Sequence, residues 1–119
     1  MDKEKMLDNI VFLPRQFNTD RNISVYNLLK RSGYFDFAND ISTNDIKNAI
    51  NKRPDVVEDW LNWSENKRVS QGWFFKNDSE KYIVDYFPYK TNVKRSAISD
   101  AYEACAIFIK NEIEDIRNI

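Results

Sequence analysis

An aromatic-rich stretch in the second half of the chain constrains the fold more than any other feature. Residues 60–89 contain all three tryptophans and nine of the seventeen aromatic side chains in the 119-residue sequence. Within this stretch, a polar segment at residues 64–68 follows Trp63 and precedes the aromatic run 72–75. Aromatic side chains bury large apolar surfaces, so the stretch supplies either the main core of a small domain or the anchors of a binding surface.

Composition places the chain among single-domain globular proteins. With 42% hydrophobic and 31% charged residues, we expect one domain spanning 1–119. A net charge of −1 gives no overall attraction to nucleic acid or to an anionic membrane. No apolar run approaches the roughly 18 residues of a membrane span, and residues 1–5 lack the apolar core of a signal peptide. The single cysteine, Cys105, fits a reducing compartment, so we expect a cytoplasmic protein.

Capping signals predict helices in the first half of the chain. Residues 3–12 are expected to form a helix that Pro14 ends. A second helix is predicted between an N-capping Ser24 and Gly33, which suits the left-handed position after a helix. A third is expected to begin after Ser42 and to stop before Pro54.

In the second half of the chain, the spacing of the hydrophobic residues changes. Pro54 is expected to open a fourth helix. Residues 73–76 and 82–87, separated by a turn at 77–80, predict a β-hairpin, which needs helices or a third strand to be stable. A wide apolar stripe predicts a long last helix from Ser96 to about Ile116. The expected fold class is α+β, with four to five helices packed on a small antiparallel sheet.

Catalysis is not expected, because the usual groups are missing from the sequence. The chain has no histidine, and its two glycines are isolated, which excludes Ser-His or Cys-His pairs and Gly-rich phosphate loops. Cys105 falls inside the apolar stripe and is expected to be an inert core thiol. The carboxylates of Asp55, Glu58 and Asp59 are explained more simply by a helix N-terminus and a solvated face. No enzyme activity, cofactor or metal is therefore predicted.

The net charge is close to zero, but blocks of like charge along the sequence indicate a binding surface. Residues 55–64 hold three acids and no base, whereas residues 65–95 hold seven bases against four acids. Such blocks give directional electrostatic complementarity, and tryptophan and arginine often carry interface energy. The predicted partner-binding residues combine an acidic helix face, one tryptophan and a charged loop: Asp55, Glu58, Asp59, Trp63, Glu65, Lys67 and Arg68.

Two alternatives use other parts of the sequence. Lys76, Lys81, Tyr82 and Tyr86 interleave cations with aromatics, the chemistry of single-stranded nucleic-acid binding. Such a role is expected to be the less favoured one, because strand aromatics usually face a core. The wide stripe of the last helix also suits a regulatory or structural subunit that self-associates, and the expected oligomeric state is a monomer or a weak homodimer.

The chain as a whole resembles the small immunity proteins of bacterial toxin systems, such as contact-dependent growth inhibition. The resemblance rests on size, mild acidity, richness in Asn, Lys and Ile, a helix–hairpin build and the segments 60–68 and 72–75. It implies a cytoplasmic protein that binds a cognate toxin domain tightly and occludes its active site, often that of a nuclease. A net charge of only −1 departs from the strongly acidic nuclease inhibitors.

Overall fold

The computed structural model describes residues 1–20, 22–67 and 71–119, which form an α+β domain around one hydrophobic core. Within these residues the chain contains seven α-helices, a short 3-10 helix and a three-stranded antiparallel sheet. The helices are α1 (Lys3–Val11), α2 (Leu13–Thr19), α3 (Val25–Ser32), α4 (Tyr34–Phe37), α5 (Thr43–Lys52), α6 (Val56–Lys67) and α7 (Ala101–Arg117). The 3-10 helix is Ala38–Asp40, and the strands are β1 (Gly72–Asp78), β2 (Lys81–Phe87) and β3 (Ser96–Ile98).

The capping predictions for α3 and α5 are confirmed. The Ser24 hydroxyl accepts a hydrogen bond from the amide of Asn27, and Gly33 ends α3 with a φ of 94°. Ser42 and Asp45 form a reciprocal capping box at the start of α5. Bonding to the Ser42 backbone holds the pKa of the Asp45 carboxyl below its usual value. These ends are specified locally, which is why sequence alone located them.

Proline at residue 14 begins a helix instead of ending one. Helix α1 stops at Val11, and Pro14 lies in the first turn of α2, which the sequence analysis missed. A proline fits there because the first turn of a helix has no intrahelical partner for its amide groups. Pro54, which was expected to open the fourth helix, instead lies in the turn before it, because α6 starts at Val56.

The predicted charged loop is wrong for Glu65 and Lys67, because α6 continues through both residues to Lys67. Arg68 lies outside the described residues. The last helix also starts later than predicted. Residues Ser96–Ile98 form β3, and the side chain of Asp100 caps α7 by accepting from the amides of Tyr102 and Glu103.

The sheet has the order β1-β2-β3, and its register separates two faces. Phe75 pairs with Val84, and both are buried against α7 on the inner face. On the outer face, Lys76 lies opposite Ile83, and Asp85 forms an ion pair with Arg95 at 3.3 Å. Strand β3 supplies the third strand that the hairpin needs.

Helix α7 is the central element, since it packs against α3, α5, α6 and all three strands. Its apolar stripe is therefore buried within the chain itself, including Phe108, Ile109 and Cys105. Burial raises the pKa of the Cys105 thiol well above its usual value, in line with an inert core position. Among the described residues, no helix combines the length and apolarity that crossing a membrane requires.

Candidate functional site

A groove of about 940 Å³ lies between α2, α6, the end of α7 and the beginning of β1. A volume of this size is typical of pockets that receive a ligand or a partner's side chains. Its apolar wall consists of Pro14, Phe17, Val25, Trp63, Tyr86, Ile116 and Ile119. Its polar wall consists of Asn18, Asp59, Asn62, Asn66, Lys67, Gln71, Glu112 and Asp115, together with Gly72.

Helix α6 supplies one wall of the groove because of its periodicity. Asp59, Asn62, Trp63 and Asn66 recur at steps of three and four residues and so lie on one face of the helix. The neighbouring face is turned inward, where Trp60 is fully buried and donates its indole N–H to the Val11 carbonyl at 3.0 Å. One short helix therefore holds a core face and a groove face side by side.

Trp63 is half-buried and lines the groove, in an aromatic cluster. Its ring lies 5.7 Å from the ring of Phe17, in an edge-on arrangement, and 5.4 Å from that of Trp60. Its indole Nε1 donates to Oε2 of Glu112 at 2.7 Å. The aromatic face remains available to the groove while the polar end is held by a carboxylate.

Glu112 is a buried acid, with 3% of its surface exposed, and its charge is compensated within the chain. The ammonium of Lys67 lies 2.6 Å from both carboxylate oxygens, and Trp63 gives a third hydrogen bond. The Lys67 side chain keeps 24% of its surface exposed, so this ion pair forms part of the groove wall. A carboxylate this deeply buried needs such partners, because an uncompensated charge in the interior is costly.

Arg15 pairs with two of the predicted acidic residues. Its guanidinium lies 2.5 Å from Asp55 Oδ2 and 2.5 Å from Asp59 Oδ2. These hydrogen bonds lower the pKa of Asp55 and raise that of Arg15. The acidic face predicted from the sequence is therefore partly neutralised by a base from α2.

The structure brings only some of the predicted partner-binding residues together. Asp59, Trp63 and Lys67 line the groove. Asp55 lies in the turn before α6, and Glu58 and Glu65 are exposed on α6 outside the groove lining. Arg68 lies outside the described part of the chain.

Two acids of the groove were missed by the sequence analysis. Glu112 carried a usable signal, because it follows Phe108 by four residues and Ile109 by three on the predicted apolar stripe. A charged residue at such a position is either paired or functional. Asp115 carried no such signal, since a carboxylate near the end of a helix reads as an ordinary surface residue.

The residues of the nucleic-acid alternative lie on two faces of the sheet. Tyr82 and Tyr86 are on the inner side with Val84, whereas Lys76 and Lys81 are on the outer side with Ile83. Tyr82 packs near Phe75 at 5.8 Å between ring centroids. These four residues therefore do not form one stacking surface.

A different aromatic and basic patch lies at the turn after β2, which we term the aromatic turn (residues 87–95). Phe87 and Tyr89 are 50% and 67% exposed. The guanidinium of Arg95 lies 4.3 Å from the centre of the Tyr89 ring, and the ammonium of Lys90 lies 4.5 Å from that of Tyr86. Because no acid occurs between Asp85 and Asp100, this turn is locally cationic.

Metal ligation finds no support in the parts of the chain that the structure describes, where no group of three His, Cys, Asp or Glu residues is arranged to hold an ion. Comparisons with protein-family models, with curated proteins and with solved structures find no match for this chain. The resemblance to toxin-immunity proteins therefore stays a prediction. The geometry of the groove is the structural feature that bears on function.

Proposed function

We propose that this protein is a non-enzymatic binding protein of the toxin-immunity type, which neutralises a cognate bacterial toxin domain by binding and occlusion. The observation that carries the proposal is the groove lined by half-buried Trp63, with the acidic first turn of α6 beside it. A large aromatic side chain in a concave, polar-rimmed surface is the usual anchor of a protein interface.

The supporting features concern shape and charge. Trp63 is positioned by Glu112 and by Phe17, so it can receive a partner without first becoming ordered. Asp59 lines the groove, and Asp55 and Glu58 extend its acidic edge along the start of α6. Fixed rim charges of this kind mainly increase the association rate and the selectivity for a basic partner surface.

The experiment starts from tagged protein in lysate of the native host, with captured partners identified by mass spectrometry. We expect one stoichiometric partner that carries a secreted toxin domain and loses its toxicity when the two are mixed in equal amounts. A partner without toxic activity, or no partner other than the chain itself, would contradict the proposal.

The binding surface is then tested by charge reversal at Asp55, Glu58 and Asp59. We expect the triple lysine variant to lower the affinity for the toxin domain about tenfold or more, mostly through slower association. The matched control reverses three exposed acids away from the groove, Asp36, Glu80 and Glu103, and has the same net charge. Equal losses in both variants would show that only overall charge matters and would exclude this surface.

A second function, single-stranded nucleic-acid binding, is favoured by one observation, the exposed rings and cations of the aromatic turn. Stacking of bases on Phe87 and Tyr89, with Lys90 and Arg95 near the phosphates, would give weak and strongly salt-dependent binding. A gel-shift series with a single-stranded oligonucleotide at low salt tests it, and no shift at micromolar protein excludes it.

A further inference from the structure

Asp115 is the one groove acid for which the described residues provide no hydrogen bond or ion pair. Asp59 is held by Arg15, and Glu112 is held by Lys67 and Trp63. Asp115 lies at the groove and attracts Lys67 and Lys90 electrostatically, but neither ammonium is within ion-pair distance among the described contacts.

Both neighbouring lysines are occupied by other groups. The ammonium of Lys67 lies 2.6 Å from both oxygens of Glu112. That of Lys90 lies 4.5 Å from the centre of the Tyr86 ring. Partial desolvation at the groove raises the pKa of the Asp115 carboxyl above its usual value, although the residue as a whole is exposed. A carboxylate in this situation would be stabilised by a cation from outside.

We propose that the groove receives an arginine side chain of the partner, whose guanidinium stacks against Trp63 and pairs with Asp115. This inference rests on the proposed function and names the chemistry that its groove recognises. Arg15 compensates Asp59 and Lys67 compensates Glu112, so among the described residues Asp115 is the groove carboxylate that a cation from the partner would pair with.

Arginine suits the groove better than lysine for two reasons. Its planar guanidinium stacks on aromatic rings, and the half-buried face of Trp63 beside Phe17 offers such a surface. Its five N–H donors need several acceptors, and the exposed amides of Asn62 and Asn66 stand on the same wall of α6. The chain already holds one guanidinium in this way, since Arg15 lies between two carboxylates of α6 while packing over Phe12 at 5.1 Å.

The test uses two short peptides of nearly equal size, acetyl-Gly-Arg-Gly-amide and its citrulline analogue, in which a neutral urea with fewer N–H donors replaces the guanidinium. Binding is followed by the indole N–H resonances of the 15N-labelled protein, and the Trp63 signal is assigned from a Trp63→Phe variant. We expect the arginine peptide to move the Trp63 resonance with a dissociation constant on the order of millimolar, and the citrulline peptide to bind at least about fivefold more weakly. The fully buried Trp60, whose ring lies 5.4 Å from that of Trp63, is expected to show a smaller shift of its indole resonance.

The assignment of Asp115 is tested by Asp115→Asn, with Asp36→Asn as the matched control at an exposed site outside the groove. We expect the first variant to remove most of the preference for arginine over citrulline and the second to leave it unchanged. Equal binding of the two peptides, no movement of Trp63 at about 10 mM peptide, or an unaffected Asp115→Asn variant would each overturn the inference.

These outcomes are distinguishable from a failure of the proposed function. A toxin domain that binds Asp115→Asn with unchanged affinity overturns the arginine site and leaves the immunity proposal in place. Conversely, an arginine-selective groove in a protein that captures no toxin would contradict the immunity proposal and retain the site.

Discussion

Trp60 and Trp63 are three residues apart on α6, with their ring centres 5.4 Å apart, yet they belong to different parts of the molecule. Trp60 is fully buried, and its indole N–H is bonded to a backbone carbonyl of α1. Trp63 is half-buried, and its indole N–H is bonded to the side chain of Glu112. The first is fixed by the fold itself, whereas the second is positioned by a charge that faces a groove.

This difference shows how a small domain holds core and surface tryptophans on one helix. A backbone partner cannot be exchanged by mutation, so the Trp60 contact is as permanent as the packing of α1 on the core. A side-chain partner is itself adjustable, and Glu112 depends in turn on Lys67. Residues of the second kind are the ones from which a binding site can be built without disturbing the core.

The largest expected effect is the loss of folding stability when the buried tryptophan, Trp60, is removed. Trp60→Ala should lower the free energy of unfolding by about 3–5 kcal/mol, because it leaves a large cavity and an unpaired Val11 carbonyl. Trp63→Ala should lower the free energy of unfolding by about 1–2 kcal/mol, since Trp63 is only half-buried and lines the groove. Urea denaturation followed by circular dichroism measures both, and equal losses would contradict the assignment of Trp63 to a binding surface.

A second prediction concerns the charge that holds Trp63. Glu112→Ala should lower the free energy of unfolding by about 2–3 kcal/mol, because Lys67 and the Trp63 indole lose their acceptor. The paired change Glu112→Leu with Lys67→Met should recover most of this stability, since no charge then remains uncompensated. A double variant that is no more stable than Glu112→Ala would contradict this explanation, because the loss would then not come from an uncompensated charge.

The smallest expected effect is the contribution of Asp115 to the pH dependence of folding stability. Its raised pKa means that the folded state keeps a proton that the unfolded chain has already lost. This group therefore lowers stability as the pH rises from below the ordinary carboxyl pKa to above the raised one. Asp115→Asn should accordingly stabilise the free protein by less than about 1 kcal/mol at neutral pH, and the gain should vanish in acid.

Asp36→Asn provides the reference for this measurement, because it makes the same substitution at an exposed site away from the groove. Thermal unfolding of both variants at neutral and acidic pH gives the comparison. A gain that persists unchanged at acidic pH would mean that the stabilisation comes from something other than the carboxylate charge.

The capping signals of α3 and α5 were read correctly from the sequence, whereas the role of Pro14 in α2 and the long-range pairings were not. The caps of α3 and α5 depend on side chains within three residues of each other, so Ser24, Gly33 and Ser42 identified them. Ser96 and Asp100 are both plausible caps, and the choice between them depends on whether residues 96–98 pair with β2. That pairing is a tertiary interaction, and the local propensities of residues 96–98 do not predict it.

The same limit applied to the candidate site. Trp63 and Asp59 were predicted as binding residues from the composition of residues 55–68, but the groove residues Phe17, Glu112 and Asp115 come from other parts of the chain. Arg15, forty residues before Asp55, neutralises part of the predicted acidic face. Only the fold brings these groups together, so a surface inferred from one helix overestimated its free charge.

The reactivity of Cys105 can be used to measure how often the folded domain opens. It is the sole thiol of the chain, it is fully buried, and it sits on the helix that contacts every strand. A thiol reagent can reach it only when α7 separates from its surroundings, so the rate of labelling measures how often the domain opens. A bound partner should slow that rate by stabilising the closed form, so binding could be detected without engineering a reporter residue into the chain.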